Sequence, residues 1–180
     1  MDVTKNSPES MQHIAIEVSN MNTSLDFYRQ VLSMKLTEKH EALEIKEIPV
    51  ALSFLRLATS SCHHDLVLVH DPKKKYKLKK DCSSPNFHHM AFSFKDQKTW
   101  QLKLEHIKDL NVEVIRGPVL HSPFQEGGEG SWGENKSFYI LDPDGHRIEF
   151  FCDMASVDEK GYYRDENNKL IAEEARAVEV

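Results

Sequence analysis

Residues 13–18 read HIAIEV and residues 89–94 read HMAFSF, so one short pattern occurs twice in the chain. Both copies begin with a histidine, carry an alanine at the third position and alternate in apolar residues, which is typical of a β-strand. A pattern that returns in this way indicates two copies of one supersecondary unit, because both copies follow the same local folding rules. The repeat therefore predicts the architecture before it says anything about function.

Each copy is followed by the same order of elements. A run of apolar residues at helical spacing comes first: Leu25, Tyr28 and Leu32, then Trp100, Leu104 and Ile107. Three strand-like runs follow each helix, around 35–45, 50–57 and 65–69 and then around 112–116, 136–141 and 147–152. We therefore expect an α+β protein of two tandem βαβββ modules, about residues 11–71 and 86–153, which form one cupped mixed sheet with the helices outside.

Length and composition limit the class of protein. We expect one domain over residues 1–153 and a polar tail, 154–180, that is either a short helix or a frayed end. A net charge of −6 argues against a nucleic-acid surface, and no apolar run approaches the roughly 20 residues of a membrane span. The three cysteines show no CxxC spacing and the start lacks a secretory signal, so we expect reduced thiols in a cytoplasmic protein. Residues 73–80, KKKYKLKK, are interpreted as a solvated linker, with a patch for a nucleic acid or an acidic partner as the alternative.

Residues 138–151 read FYILDPDGHRIEFF and predict a β-hairpin. Pro143 and Gly145 favour a tight turn between two apolar runs. Neighbouring residues of a strand point to opposite faces, so Glu149 faces away from the apolar residues on either side of it. A carboxylate inside an apolar strand has two explanations: it faces solvent, or it is a ligand that the interior needs.

Three residues would converge in a cup built from two such modules. His13 and His89 open equivalent strands, and Glu149 lies in the last strand of the second module. Two imidazoles and one carboxylate form a facial triad, which leaves positions open on a metal and suits non-haem Fe(II), with Mn(II) and Zn(II) also compatible. The alternative for either histidine alone is a hydrogen-bonded core residue. A buried carboxylate without a partner is costly, however, and a metal would compensate it.

The paired strands and the ending YILDPDGHRIEFF resemble the vicinal oxygen chelate superfamily over about residues 11–153. That superfamily includes glyoxalase I, fosfomycin-resistance enzymes, epimerases, bleomycin-binding proteins and the type I extradiol ring-cleaving dioxygenases. The resemblance implies the two-module fold and a metal site at His13, His89 and Glu149. It does not by itself imply one reaction, because the same scaffold hosts many.

Two further features resemble the extradiol dioxygenases. In CHHDLVLVH, residues 62–70, His64 stands beside an aspartate, where that class has a histidine that is not a ligand and acts as an acid and base. Tyr139 stands ten residues before Glu149, where that class has a tyrosine that hydrogen-bonds the substrate. The resemblance therefore implies catalytic roles for His64 and Tyr139.

One position departs from the dioxygenase pattern. Many members of that class carry another histidine about nine residues before the tyrosine, and position 130 of this chain is a glycine. We expect the corresponding hydrogen bond to be missing, or to be supplied by His121 or another group. The departure bears most directly on the substrate.

The resemblance implies a non-haem Fe(II)-dependent extradiol dioxygenase that acts on a catecholic compound and O2, with Mn(II), Ni(II) or Zn(II) as other metals. A homodimer is a further expectation of the resemblance. The first alternative is a glyoxalase-type metal-dependent lyase, isomerase or epimerase, which usually has a metal-binding glutamate in the first module. This chain lacks that glutamate, and in this alternative His64 would be the fourth ligand. The second alternative is a protein that binds a small molecule without catalysis.

Overall fold

The computed structural model divides into two compact units, Met1–Leu78 and Lys79–Val180, and each is described by itself. Neither helix of the described chain has the length and apolar composition of a membrane span. Part of the lysine-rich segment, residues 77–80, lies outside the described residues, and so do Cys82 and positions 130–132. The structure describes residues 8, 10–76, 87–129, 133–165 and 167–172.

The first unit is a four-stranded mixed sheet with one helix. Asn20 caps the helix, since its side-chain oxygen accepts a hydrogen bond from the Thr23 amide over 3.0 Å. The strand order is β1-β4-β3-β2, with β1 parallel to β4 and the other neighbours antiparallel. The elements are β1 (Ile14–Glu17), α1 (Met21–Leu32), β2 (Lys35–His40), β3 (Ala51–Arg56) and β4 (Leu66–His70).

The second unit repeats this design. Its strand order, β5-β8-β7-β6, matches the order β1-β4-β3-β2 of the first unit strand for strand. As in the first unit, the first and last strands of the module, β5 and β8, are parallel neighbours. The two modules therefore share one connectivity, which confirms the predicted pair of tandem βαβββ units. The elements are β5 (Met90–Ser93), α2 (Gln97–Asp109), β6 (Val114–His121), β7 (Asn135–Leu141) and β8 (Arg147–Cys152).

Each helix buries the face that the apolar spacing predicted. Tyr28 on α1 is fully buried, as is Ile107 on α2, and Trp100 on α2 is 3% exposed. The Trp100 indole also donates a hydrogen bond to the Phe150 carbonyl of β8 over 2.9 Å. Apolar burial and this polar contact fix α2 against the strand that carries Glu149.

The strand β6 is longer than the sequence predicted. The expected strand ended at residue 116, yet β6 continues through Gly117 and Pro118 to His121. A Gly-Pro pair in a sequence usually indicates the end of a strand. Proline is tolerated on an edge strand, however, and β6 is at the edge of its sheet. A Cβ at position 117 would lie 2.6 Å from the Ser137 carbonyl oxygen, so glycine is what lets the two backbones approach here. The extension brings His121 into the sheet.

The tail is neither of the two structures that we expected over residues 154–172. It forms a small antiparallel sheet in the order β11-β10-β9. Asp158 and Asp165 accept backbone hydrogen bonds from residues that follow them, which is the side-chain turn chemistry that closes short hairpins. The strands are β9 (Ser156–Val157), β10 (Tyr163–Arg164) and β11 (Leu170–Ala172).

Candidate metal centre

His89 and Glu149 meet in the second unit because β5 and β8 are parallel neighbours. Ala91 pairs with Glu149, and His89 lies two residues before Ala91, on the same face of the strand. The His89 Nε2 atom is 3.1 Å from Glu149 Oε2. Glu149 is 7% exposed, so the explanation that it faces solvent is wrong.

The second oxygen of Glu149 is held by two hydroxyl groups. Ser137 Oγ donates to Glu149 Oε1 over 2.5 Å, and the Tyr139 hydroxyl donates to the same atom over 2.9 Å. Tyr139 is the direct partner of Glu149 across β7 and β8, as the hairpin sequence predicted. These donors orient the carboxylate and leave Oε2 directed at His89.

The protonation states suit a metal ligand pair. Burial lowers the pKa of His89, although the neighbouring Glu149 carboxylate opposes part of that change. The neutral imidazole is the form that binds a metal. Burial and the hydrogen bond to Glu149 raise the pKa of Tyr139 to about 12, so its hydroxyl remains a donor at neutral pH. His88 is a neighbour of His89, with its Nδ1 atom 2.6 Å from His89 Nδ1.

His121 contacts this network, although sequence spacing gave it no motif. Its Nε2 atom lies 2.8 Å from the Tyr139 hydroxyl, and the residue is 1% exposed. His121 pairs with Asn135, which lies four residues before Tyr139 on the same face of β7, so the two long side chains meet along that face. The sequence named His121 as one possible source of the missing hydrogen bond, but counting backward along the chain from Tyr139 could not place it, because a long connection separates the two strands. The sequence does contain one signal: His121 stands three residues after Pro118, where the long connection between β6 and β7 begins.

Two arginines lie beside the Tyr139 ring. The Cζ atom of Arg116 is 5.7 Å from the ring centroid and that of Arg147 is 5.5 Å away. Arg116 is the partner of Tyr139 across β6 and β7, and Arg147 lies two residues before Glu149 on the same face of β8. Two guanidinium groups make this surface favourable for an oxygen anion.

His13 and His64 meet in the first unit. Their ring centroids are 4.5 Å apart. Gln12 contacts both residues, since its side-chain nitrogen donates to the His64 carbonyl and its oxygen lies against Nδ1 of His13. The Gln12 side-chain oxygen can only accept a hydrogen bond, so the His13 ring carries its proton on Nδ1. The Nε2 atom of His13 is then the nitrogen that can bind a metal.

Burial lowers the pKa of His64, and the neighbouring His13 and His63 imidazoles act in the same direction. A neutral His64 is a proton acceptor near neutral pH. Asp65 fixes the loop that carries it, accepting from the Leu57 amide over 2.8 Å and from the Ser60 hydroxyl over 3.0 Å.

The parallel strand pairs also show what the first module lacks. Ala15 pairs with Val67 in the first unit just as Ala91 pairs with Glu149 in the second. Val67 therefore occupies the position equivalent to the carboxylate, and it has no donor atom. The first module offers one ligand, His13, at these matched positions.

The structure thus assembles part of the predicted site within each unit. His89, Glu149 and Tyr139 are in contact in the second unit, and His13 and His64 are in contact in the first. Among the described residues, no three histidine, cysteine, aspartate or glutamate side chains form a ready metal site. The ligand set of His13, His89 and Glu149 stays a prediction, and the neutral imidazole and oriented carboxylate of the second unit fit a divalent cation.

Comparison with known families agrees with the fold. Residues 10–150 match the model of the Glyoxalase/Bleomycin resistance protein/Dioxygenase superfamily. The match spans most of the chain and coincides with the two modules. This protein belongs to that superfamily, the vicinal oxygen chelate superfamily that the sequence resembles.

The relatives have different activities. Metallothiol transferase FosB of Staphylococcus epidermidis is 26% identical over 89% of this chain and 93% of its own length. Lactoylglutathione lyase of Neisseria meningitidis is 27% identical over 83% of this chain and 95% of its own. Metapyrocatechase 2 of Cupriavidus necator is 24% identical over 82% of this chain and 37% of its own length.

Solved structures share the fold at low identity. A glyoxylase/bleomycin resistance protein/dioxygenase domain from Frankia gives a TM-score of 0.61 at 16% identity, covering 81% of this chain and 98% of that one. The fosfomycin resistance protein FosX of Listeria monocytogenes, solved with Mn(II) and sulfate, gives a TM-score of 0.54 at 16% identity, covering 81% and 93%. These similarities show the fold alone.

Proposed function

We propose that this protein is a non-haem Fe(II)-dependent extradiol dioxygenase that cleaves a catecholic ring beside its two hydroxyl groups. The observation that carries the proposal is the 2.8 Å contact between His121 Nε2 and the Tyr139 hydroxyl. The dioxygenase pattern has a histidine about nine residues before this tyrosine, and this chain has Gly130 at that position. His121 supplies an imidazole at the tyrosine from an adjacent strand.

His13, His89 and Glu149 would hold the iron. When bound there, Fe(II) would lower the pKa of the catechol hydroxyls and pass electrons between the ring and O2. The proposed reaction needs no other reactant, because both atoms of O2 enter the product as one ring C–C bond breaks. The product is a yellow muconic semialdehyde.

The side chains would supply binding and proton transfer. His64, whose pKa is lowered, would take a proton from one hydroxyl and return it as the ring opens. The Tyr139 hydroxyl would orient a substrate oxygen, with His121 fixing the direction of that hydroxyl. Arg116 and Arg147 would favour the negative charge of the bound catecholate.

A second candidate is a metal-dependent transferase or lyase of the FosB or glyoxalase type. The observation that favours it is how much of each relative this chain matches. FosB and lactoylglutathione lyase are matched along more than 90% of their own chains, and metapyrocatechase 2 along 37%. The two arginines would suit a phosphonate as well as a catecholate. The valine at position 67 disfavours the four-ligand glyoxalase variant, because it removes the fourth donor.

The deciding experiment is O2 uptake by protein purified without air and loaded with Fe(II). Catechol, 2,3-dihydroxybiphenyl and protocatechuate are the substrates, and a yellow absorber should appear as O2 is consumed. His89→Ala should abolish both metal binding and uptake, whereas His106→Ala on α2 serves as the matched control and should change neither.

Two outcomes would contradict the proposal. If Fe(II) binds but no diol consumes O2, the protein should next be assayed with Mn(II), Ni(II) or Zn(II) for addition of a thiol to fosfomycin and for isomerisation of a thiol adduct. If no divalent metal binds, the ligand set itself is wrong.

A further inference from the structure

A carboxylate lies on the face of the first sheet that His64 contacts. Glu38 pairs with Phe54 across β2 and β3, and Phe54 pairs with Val67 across β3 and β4. Direct cross-strand partners lie on the same face of a sheet, so these three residues form one row. The Phe54 ring, in the middle of the row, packs edge-on against the His64 ring with centroids 5.0 Å apart. The row therefore brings the Glu38 carboxylate to the surroundings of His64.

The two oxygens of Glu38 face two different imidazoles. Oε1 lies 2.6 Å from His40 Nε2, and Oε2 lies 3.3 Å from His63 Nε2. The hydrogen bond with Glu38 is the main cause of the raised pKa of His40. His40 therefore donates to Oε1 and holds the carboxylate in place, with Oε2 directed at His63.

The contact with Glu38 determines which nitrogen of His63 carries the proton. An ionised carboxylate can only accept a hydrogen bond, so the proton of a neutral His63 stands on Nε2. The Nδ1 atom of His63 then has a lone pair and can only accept. That Nδ1 atom lies 3.0 Å from His64 Nδ1.

His64 is therefore the donor in the contact between the two histidines. Its proton stands on Nδ1, and its Nε2 atom has the lone pair that can take a proton. A neutral histidine in water prefers the opposite arrangement, with the proton on Nε2. The structure thus holds His64 in the less common tautomer through a chain of two contacts that begins at Glu38.

We propose that Glu38 and His63 are positioning residues that make His64 Nε2 the atom that takes the substrate proton. This inference rests on the proposed function, which supplies that proton, but the tautomer belongs to the protein alone. In the proposed step the proton leaves the catechol hydroxyl oxygen for His64 Nε2 and returns as the ring opens. The Nδ1 proton stays in place, and His63 stabilises the imidazolium by accepting from it.

The test is long-range ¹H–¹⁵N correlation NMR of the imidazole rings in the full chain at pH 8, above the ordinary histidine pKa of about 6.5. Protonated and unprotonated ring nitrogens have well-separated ¹⁵N shifts, and the signals lost in His64→Gln identify His64. We expect the His64 proton on Nδ1. His63→Leu should move it to Nε2, whereas His63→Asn should keep it on Nδ1, because the asparagine oxygen can stand where His63 Nδ1 stands.

Glu38→Gln tests the start of the chain of contacts. Without the carboxylate, nothing fixes the proton of His63 on Nε2, so His64 should show a mixture of both tautomers. Glu41→Gln is the matched control, since Glu41 is an exposed glutamate whose recorded ion pair is with Lys39, and it should leave the His64 tautomer unchanged.

Steady-state kinetics of the Fe(II)-loaded protein give a second readout. His63→Leu should lower kcat about tenfold or more with little change in the KM for catechol, and His63→Asn should restore most of kcat. A wild-type His64 protonated on Nε2 would overturn the proposal, because His63 would then be the donor. The same tautomer or the same kcat in His63→Leu and His63→Asn would also overturn it. Expected tautomers without O2 uptake by the wild type would refute the proposed function and leave the tautomer assignment standing.

Discussion

The hydroxyl of Tyr139 donates a hydrogen bond to Oε1 of Glu149 over 2.9 Å, and the two residues are direct partners across β7 and β8. The same hydroxyl lies 2.8 Å from His121 Nε2. Tyr139 therefore connects a proposed metal ligand to a histidine on a third strand. Any change at this tyrosine should alter both the orientation of the carboxylate and the position of the imidazole.

Tyr139→Phe should weaken metal binding. Removing the hydroxyl takes one of two side-chain donors from Glu149 Oε1, and loss of such a contact to a ligand costs about 10–100-fold in metal affinity or activity. Calorimetric titration with Mn(II) measures the affinity without requiring turnover. Tyr163→Phe is the matched control, and an affinity unchanged in Tyr139→Phe would show that Ser137 alone orients the carboxylate.

His121→Asn should slow turnover more than it weakens metal binding. The imidazole contacts the Tyr139 hydroxyl and is not itself a proposed metal ligand, so the three proposed ligands are retained when it is replaced. If His121 positions the substrate-binding hydroxyl or moves a proton, kcat should fall by about 10²-fold or more. Steady-state kinetics across pH check this, because a purely structural residue would lower the amount of folded enzyme and leave the shape of the pH profile unchanged.

Arg116→Met should change substrate preference according to charge. Methionine keeps much of the apolar side chain and removes the guanidinium beside the Tyr139 ring. The KM for protocatechuate, which carries a carboxylate, should rise by about tenfold more than the KM for catechol. Lys136→Met is the control, since it removes a positive charge from the same unit but not beside that ring. A parallel rise for both diols in Arg116→Met would mean that the arginine acts on the shared hydroxyl groups.

His146 should make the stability of the protein depend on pH. Burial acts to lower the pKa of His146, but its hydrogen bond to Asp142 and the charge of that carboxylate outweigh burial, so the pKa is raised. The Nδ1 atom lies 2.8 Å from Asp142 Oδ2, and the side chain is 17% exposed. A raised pKa gives stabilisation that is fully present below the unfolded value of about 6.5 and is lost as pH rises through the folded value.

Chemical denaturation of the wild type and of His146→Asn measures this effect. The difference in unfolding free energy should be largest near pH 5.5 and should shrink by pH 8.5. In an Asp142→Asn background the stabilisation at low pH should be lost, because burial, which lowers the pKa of His146, is then opposed only by the charge of Asp144. A difference that grows toward high pH would contradict the assignment.

The sequence predicted the parts of the site that lie within one hairpin or one repeat. The DPDG turn determines the register of β7 and β8, so the pairing of Tyr139 with Glu149 could be counted from residue numbers alone. The matching HxA strands predicted that His13 and His89 open equivalent strands, and the identical strand orders agree. The same counting failed for His121, because the length of the connection between β6 and β7 carries no information about which residues pair across it.

The sequence by itself determined the two-module repeat, the helix faces and the hairpin, because each depends on local periodicity and turn chemistry. Only the tertiary structure decided that Glu149 is buried, that its two oxygens face different partners, and that β6 continues past Gly117 and Pro118 to bring His121 to Tyr139. It also decided that the tail forms a small sheet. These features depend on which strands become neighbours and which side chains lose contact with water, and both are settled by packing between segments that are distant in the chain.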